Sequence, residues 1–215
     1  MPGTQSDFAT PLGSVTSGRL QFARGASRVT ILGDGDSDDL IRARFEGTVP
    51  MVLADGGNVT IEYPLVSPSE WLRARRAATV MLNAAIPWEL VFSRGVSRLR
   101  ADLTCLTLRF LEIVRGATDL QVVLPEPHGV VRLDVSGGAS NVALLHPPGA
   151  AVVVAVAGGV NKLEFGGQLY GSIGRETRLA SAGAGERPDR YEIEIGGGAS
   201  QLTIASESGG PEPGR

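Results

Sequence analysis

The sequence predicts an all-β protein, a single-stranded β-solenoid with two short strands in each rung of about 21 residues. Two observations carry this prediction: a ten-residue pattern recurs along the chain, and its glycines are nearly evenly spaced. The composition agrees, because 29 glycines and only 5% aromatic residues suit a thin core of stacked aliphatic side chains. A β-sandwich is the alternative, since regularly spaced short strands also form sandwiches.

The repeated pattern is an apolar residue, a glycine, a small residue and then Ser, Thr or Asn, followed by alternating Val or Leu. The aligned glycines in the middle of the chain are 21, 22 and 21 residues apart. The copies are FARGASRVTI (22–31), FSRGVSRLRA (92–101), IVRGATDLQV (113–122), VSGGASNVAL (135–144), VAGGVNKLEF (156–165) and IGGGASQLTI (195–204). Recurrence at such a period is typical of repeat architectures.

One copy shows how each unit folds. Residues 131–135, VRLDV, alternate apolar and polar side chains, as a half-buried strand does. Gly137 and Gly138 then permit a corner, and the alternation resumes at Val142 and Leu144. Since a two-strand unit cannot bury its inward residues alone, we expect successive units to stack in aliphatic columns, with corner glycine above corner glycine.

The remaining segments interrupt the repeat. Residues 67–80 predict a helical insertion, because Ser67-Pro68-Ser69-Glu70 matches a capping box with proline at the first helical position. Residues 166–190 predict a long surface loop. Residues 1–14 and 207–215 predict disordered termini, which leaves residues 15–206 as one β-solenoid domain.

The charge, the absence of a long apolar run and the single cysteine indicate which partners and which cellular location to expect. The net charge is −3 and no basic run is present, so nucleic acid is not an expected partner. No apolar run is long enough for a transmembrane segment, and the N-terminal residues do not resemble a signal peptide, which predicts a cytoplasmic location. Cys105 has apolar neighbours, which predict a buried and inert thiol.

No motif predicts a metal ion or a cofactor. Alternating aspartates in residues 34–39 could converge on Ca²⁺, but Asp39 and Phe45 stand where an EF-hand loop needs Gly and Glu, so an acidic turn is preferred. His128 and His146 lack the neighbours of a zinc site or a catalytic triad.

No motif predicts catalysis either. Enzymes that cleave carbohydrates on a β-helix use acidic residues grouped on one face. Asp102, Asp119 and Asp134 stand at different phases relative to the corner glycine, so we do not expect them to align. The sequence therefore predicts a protein that is not an enzyme.

Three segments resemble a known bacterial family: the GGAS corners, IPWEL (86–90) and GSIGRETRLAS (171–181). They are similar to the putative-adhesin type β-solenoid domains of unknown function, over residues 86–204. The resemblance implies a right-handed, β-helix-like stack and carries no known catalytic residues. In architecture alone, the chain is also similar to bactofilins, cytoplasmic β-solenoids that polymerise end to end.

These features predict a structural scaffold or protein-interaction module that binds a protein partner or a second copy of itself. Exposed sheet ends are templates for strand pairing, and the last repeat is followed only by a polar tail. The predicted contact residues are therefore those of the last repeat, Tyr191, Ile193, Ile195, Leu202 and Ile204. The alternative is a carbohydrate or small-ligand binding domain that uses the loop at residues 166–190.

Overall fold

The computed structural model describes residues 5–65, 76–174 and 176–207, and within these ranges the chain is all-β. A single 3-10 turn, Ala184–Glu186, is the one helical element there. The strands in chain order are β1 (Gln5–Pro11), β2 (Gly18–Phe22), β3 (Ala26–Asp34), β4 (Asp39–Gly47), β5 (Met51–Asp55), β6 (Asn58–Glu62), β7 (Arg76–Asn83), β8 (Pro87–Phe92), β9 (Val96–Asp102), β10 (Thr107–Ile113), β11 (Ala117–Val123), β12 (Val130–Val135), β13 (Ala139–His146), β14 (Ala151–Val156), β15 (Leu163–Phe165), β16 (Gln168–Tyr170), β17 (Thr177–Ala180), β18 (Arg190–Ile195) and β19 (Ala199–Ser206).

The strands form two mixed sheets that share one hydrophobic core. Sheet A has ten strands and sheet B has nine, and neither closes on itself. The order across sheet A is β1-β4-β7-β3-β9-β11-β13-β19-β15-β16. The order across sheet B is β17-β14-β18-β12-β10-β8-β2-β6-β5. The predicted all-β class is therefore confirmed.

The chain alternates between the two sheets. Seven times a strand of sheet B is followed along the chain by a strand of sheet A, and we call each such unit a strand pair. The strand pairs are β2/β3, β6/β7, β8/β9, β10/β11, β12/β13, β14/β15 and β18/β19. Neighbouring strand pairs are parallel in both sheets, so equivalent residues of successive repeats lie side by side.

The predicted alternation of apolar and polar residues identifies the side chains that form the core. Val131, Leu133 and Val135 point inward and are at most 4% exposed. Aromatic residues stack in the same register, because the rings of Phe22 and Phe92 lie 5.2 Å apart and nearly parallel. Stacking in columns, rather than any single contact, therefore buries the apolar side chains.

The strand pairs are not stacked in chain order. β18 lies between β12 and β14 in sheet B, and β19 lies between β13 and β15 in sheet A. The last strand pair therefore fills a gap between two earlier ones. Chain order is also broken near the N-terminus, where the earlier strand pair β2/β3 lies between the later pairs β6/β7 and β8/β9.

This order of the strand pairs buries the residues that were predicted to form a contact surface, so that prediction is wrong. The residues of the last repeat lie in the core and are at most 2% exposed: Tyr191, Ile193, Ile195, Leu202 and Ile204. The reason is that the connection after β15 carries the chain back past β14/β15, so that β18 and β19 have hydrogen-bonded neighbours on both sides. The Tyr191 hydroxyl, for example, donates to the Pro125 carbonyl from a buried position.

Antiparallel strands cover both ends of the parallel stack. At one end β16 pairs with β15 and β17 pairs with β14, and at the other β4 pairs with β7 and β5 pairs with β6. Gly166 and Gly167 reverse the chain between β15 and β16 with φ of 58° and 78°, which other residues rarely adopt. Residues 166–190 are thus not the predicted loop, because they contain β16, β17 and a 3-10 turn.

The structure also corrects the N-terminal prediction. Gln5–Pro11 forms β1 rather than part of a disordered segment, since it pairs along its length with β4 and packs Phe8 against the core. Cys105 is exposed in the turn between β9 and β10, where Leu103 and Leu106 point inward instead. The predicted tail beyond Glu207 lies outside the described residues.

The predicted helical insertion lies largely outside the described residues, which resume at Arg76. From Arg76 to Val80 the helix prediction is wrong, because this segment belongs to β7. Ala78 and Val80 alternate inward there, between β3 and β4, and both are buried.

Substitution of Ile195 tests the position of the last strand pair. Ile195 is 1% exposed, with Val135 and Val156 as its neighbours in the sheet, so Ile195→Arg would bury a charge without a partner. We expect a loss of at least about 3 kcal/mol in the free energy of unfolding, measured by urea denaturation. The control Gln201→Arg, on the exposed side of β19, should change it by less than about 1 kcal/mol. Equal stability of both variants would contradict the core position.

Candidate functional site

A groove runs along the corners at which six of the strand pairs cross from sheet B to sheet A. The strand registers place the corner glycines in the spatial order Gly25, Gly95, Gly116, Gly138, Gly198 and Gly159. Because neighbouring strands lie about 4.8 Å apart, the six corners extend over roughly 24 Å. The predicted stacking of corner glycines is therefore confirmed, and we call this surface the glycine-corner groove.

The floor of the groove is backbone. Gly116 has φ of 97°, and a Cβ atom added there would collide with the carbonyl oxygen of Gly138. The amides on the sheet A side donate along the stack, from Val96 to Gly116 and from Ala117 to Gly138, both at 3.2 Å. Glycine is therefore required at Gly116, and the absence of side chains at the corner glycines leaves a shallow, open channel.

One rim of the groove is a column of hydroxyl and amide side chains. They occupy the second position after each corner glycine, in the spatial order Ser27, Ser97, Thr118, Ser140, Ser200 and Asn161. Ser200 Oγ donates to the Ser140 carbonyl at 2.6 Å, and Ser172 Oγ donates to Asn161 Oδ1 at 3.2 Å. These groups both donate and accept hydrogen bonds, and most of them are exposed.

The other rim divides the groove into two halves. The residue before the corner glycine is arginine at the first three corners, Arg24, Arg94 and Arg115. At the other three corners it is glycine, Gly137, Gly197 and Gly158. We call these the basic half and the neutral half. The neutral half ends where Ile173 pairs with Val160.

The arginines of the basic half differ in their partners. Arg24 forms an ion pair with Glu62 at 2.6 Å. Arg94 and Arg115 are exposed, and within the described residues neither forms an ion pair. Nearby, Arg98 Nε lies 3.3 Å from Asp119. Two guanidinium groups on adjacent corners are thus available to a ligand.

A buried arginine adds positive charge beneath the first corner. Arg76 is 5% exposed, and its guanidinium donates to the carbonyls of Gly25, at 3.5 Å, and Pro64, at 3.1 Å. It also lies 5.7 Å from the centre of the Tyr63 ring. Burial raises the pKa of Tyr63 to about 12, so this phenol stays neutral. Among the described residues no carboxylate pairs with Arg76, so its charge adds to the positive potential of the basic half.

A row of carboxylates lies on the outer face of sheet B. Glu112, Asp134 and Glu194 are side by side in adjacent parallel strands, and we call them the acidic row. Burial and the neighbouring charges of Glu194 and Glu112 raise the pKa of Asp134, against a smaller opposing effect of Arg132. The row was not predicted from the sequence, because the prediction concerned only the aspartates Asp102, Asp119 and Asp134. All three carboxylates stand four positions before a corner glycine, and that spacing could have revealed them.

The other residues singled out from the sequence do not form a site. Asp34 accepts hydrogen bonds from Arg42 and from the Asp36 amide, which lower its pKa, as expected of an acidic turn. His128 is exposed, and His146 contacts the carbonyl of the adjacent Pro147 at 2.9 Å. Within residues 5–65, 76–174 and 176–207, no three His, Cys, Asp or Glu side chains are arranged to hold a metal ion. The same ranges contain no helix with the length and apolarity needed to cross a bilayer.

Comparisons with known proteins identify a shared fold. No family model matches the chain, and no curated protein matches it. The chain is similar to the solved structure of a putative cell adhesion protein from Clostridium sporogenes, with a TM-score of 0.77 and 18% identity over 95% of this chain and 100% of that one. A putative adhesin from Parabacteroides distasonis gives a TM-score of 0.37 and 13% identity over 73% of this chain and 62% of that one. The name of the Clostridium sporogenes protein agrees with the adhesin-like resemblance of the sequence, and at 18% identity the likeness shows the fold alone.

The acidic row predicts a dependence of stability on pH. The pKa of Asp134 is higher in the folded chain than its ordinary value of 3.8, so ionisation destabilises the fold as pH rises through and above that value. Asp134→Asn should therefore leave the thermal unfolding midpoint unchanged near pH 3 and raise it at pH 7. Asp119→Asn is the contrast, because Arg100 and Arg98 lower the pKa of Asp119. That variant should be less stable at pH 7, and the same sign for both variants would contradict these environments.

Proposed function

We propose that the chain is a right-handed β-solenoid that acts as a non-enzymatic interaction module, with the glycine-corner groove as its contact surface. The observation that carries the proposal is the repetition of the same polar chemistry at six consecutive corners. The parallel stacking of two-strand repeats supports the solenoid, and the structural neighbour named as a putative cell adhesion protein supports a role in binding.

The groove favours an extended ligand over a compact one. It is shallow and open, so a small molecule would remain largely exposed to water, whereas binding sites for small molecules bury most of the ligand surface. A long ligand can instead form one modest contact at each corner, and the contacts add along the stack. Repeat proteins commonly use such extended surfaces for binding.

We also expect that the ligand bound in the glycine-corner groove is not cleaved. The acidic row is the arrangement nearest to a catalytic site, because hydrolysis of glycosides uses two carboxylates about 5–10 Å apart. The row lies on the outer face of sheet B, four positions before the corner, and is thus separate from the groove. A ligand that follows the corners would not bridge the row.

Filling the groove tests its role. Ser140 lies at the middle of the groove and is exposed, so Ser140→Trp should obstruct a bound chain without altering the core. We expect the wild-type protein to bind members of an array of extended glycans and peptides, and Ser140→Trp to bind them at least tenfold more weakly. The bound glycans should show no new reducing ends.

The matched control is His128→Trp, which places the same side chain in an exposed turn between β11 and β12. It should retain wild-type binding within twofold. Binding that survives in Ser140→Trp, or a wild-type protein that binds no member of the array, would contradict the proposed contact surface.

A second candidate function is self-association through a sheet edge. β5 is an edge strand of sheet B, and its Met51 and Leu53 are 53% and 54% exposed. An exposed edge with apolar side chains is a template for pairing with another chain. This replaces the last repeat as the surface at which two copies would meet.

Light scattering coupled to size exclusion tests this candidate. If β5 pairs between copies, the wild-type mass should exceed that of one chain, and Leu53→Lys should reduce it to one chain because charge on an edge strand opposes pairing. Val130→Lys is the control, since Val130 is 41% exposed on a strand in the interior of sheet B. A wild-type protein that remains a monomer at high concentration would rule out self-association.

A further inference from the structure

We propose that the ligand of the glycine-corner groove is a linear acidic polysaccharide, with its anionic groups bound in the basic half by Arg94 and Arg115. This inference rests on the groove being the contact surface. The two guanidinium groups lie on adjacent corners, both are exposed, and within the described part of the chain neither has an acidic partner. Arginine pairs with carboxylate or sulfate through two parallel hydrogen bonds, which makes it suited to such groups.

The charges around these arginines favour an anion. Arg76 lies beneath the first corner and forms no ion pair with a described carboxylate, and Arg28 is exposed beside the same strand pair. Among the described residues, Glu62 is engaged by Arg24, and Asp119 is engaged by Arg98 and Arg100. The basic half thus carries an excess of positive charge on a protein whose net charge is −3.

The column of hydroxyl groups favours a polysaccharide among the possible polyanions. Ser97, Thr118 and Ser140 both donate and accept hydrogen bonds, as the hydroxyl groups of sugars do. Single-stranded nucleic acid binds through aromatic side chains that stack on its bases, and none of the described residues that line the groove is aromatic.

An acidic peptide fits the groove less well. Side chains on one side of an extended peptide repeat every 6.6 Å or so, whereas the corners repeat about every 4.8 Å. The groove also lies at the corners and not at a sheet edge, so a peptide could not gain main-chain hydrogen bonds by adding a strand.

Binding of oligogalacturonate to the full chain tests the inference. We expect binding that weakens as the salt concentration rises, because the contacts are ionic. The double variant Arg94→Ala/Arg115→Ala should bind at least tenfold more weakly than wild type. The control Arg109→Ala/Arg178→Ala removes two exposed arginines from strands of sheet B and should stay within twofold.

Neutral dextran, poly-glutamate and an oligothymidylate complete the experiment, and each should bind more weakly than oligogalacturonate. Equal binding of oligogalacturonate by both double variants would overturn the inference. Tighter binding of poly-glutamate or oligothymidylate that requires Arg94 and Arg115 would assign the groove to another polyanion and also overturn it. Binding of dextran that is lost in Ser140→Trp but kept in Arg94→Ala/Arg115→Ala would overturn the acidic ligand while leaving the groove as the contact surface.

Discussion

The close approach of backbones at the glycine corners is the constraint on which the rest of the structure depends. At several corners a glycine lies so near the next corner that a side chain there would collide with backbone atoms: Gly116 with the carbonyl oxygen of Gly138, Gly158 with Gly197, and Gly197 with Gly137. This contact holds successive strand pairs in one register, and equivalent residues therefore form columns. The inward columns make the core, as in Ile113, Val135 and Ile195. The outward columns make the acidic row and the hydroxyl rim of the groove, so core and surface have the same origin.

Much of the local structure could be predicted because it depends on nearby residues. The alternation at Val131, Leu133 and Val135 indicates which side chains face inward, and the glycines that follow indicate the corner. The order of the strand pairs could not be predicted in this way. Every repeat presents the same apolar columns to its neighbours, so β18/β19 would fit against several others, and only the complete connectivity of the chain decides. The strand β1 was missed because its sequence has little apolar alternation: Phe8 is the one large apolar side chain on its less exposed face, and none of its residues is fully buried.

Some surface features could likewise be predicted from nearby residues, whereas others depend on the complete fold. The arginines before Gly25, Gly95 and Gly116 are visible in the repeat, but the sequence alone does not show that two of them form no ion pair with the described carboxylates. That property depends on which arginines the nearby carboxylates contact: Glu62 pairs with Arg24, and Asp119 pairs with Arg98 and Arg100. The acidic row could have been predicted from the sequence alone, because each of its carboxylates stands at the same distance from its corner glycine. Residues of one chemical kind that stand at the same distance from their corner glycines therefore form a row on the surface.

The insertion of the last strand pair has a consequence for biosynthesis. A simple stack can grow on the ribosome from its first repeat to its last, because each new repeat meets a finished neighbour. Here β14 to β17 leave the ribosome before β18 and β19, although β18/β19 separates β12/β13 from β14/β15 in the finished protein. The nascent chain must keep that gap open, or fill it with a wrong contact that later breaks, until β18 and β19 have emerged. The strand pairs β12/β13 and β14/β15 can thus reach their native arrangement only after β18 and β19 have left the ribosome.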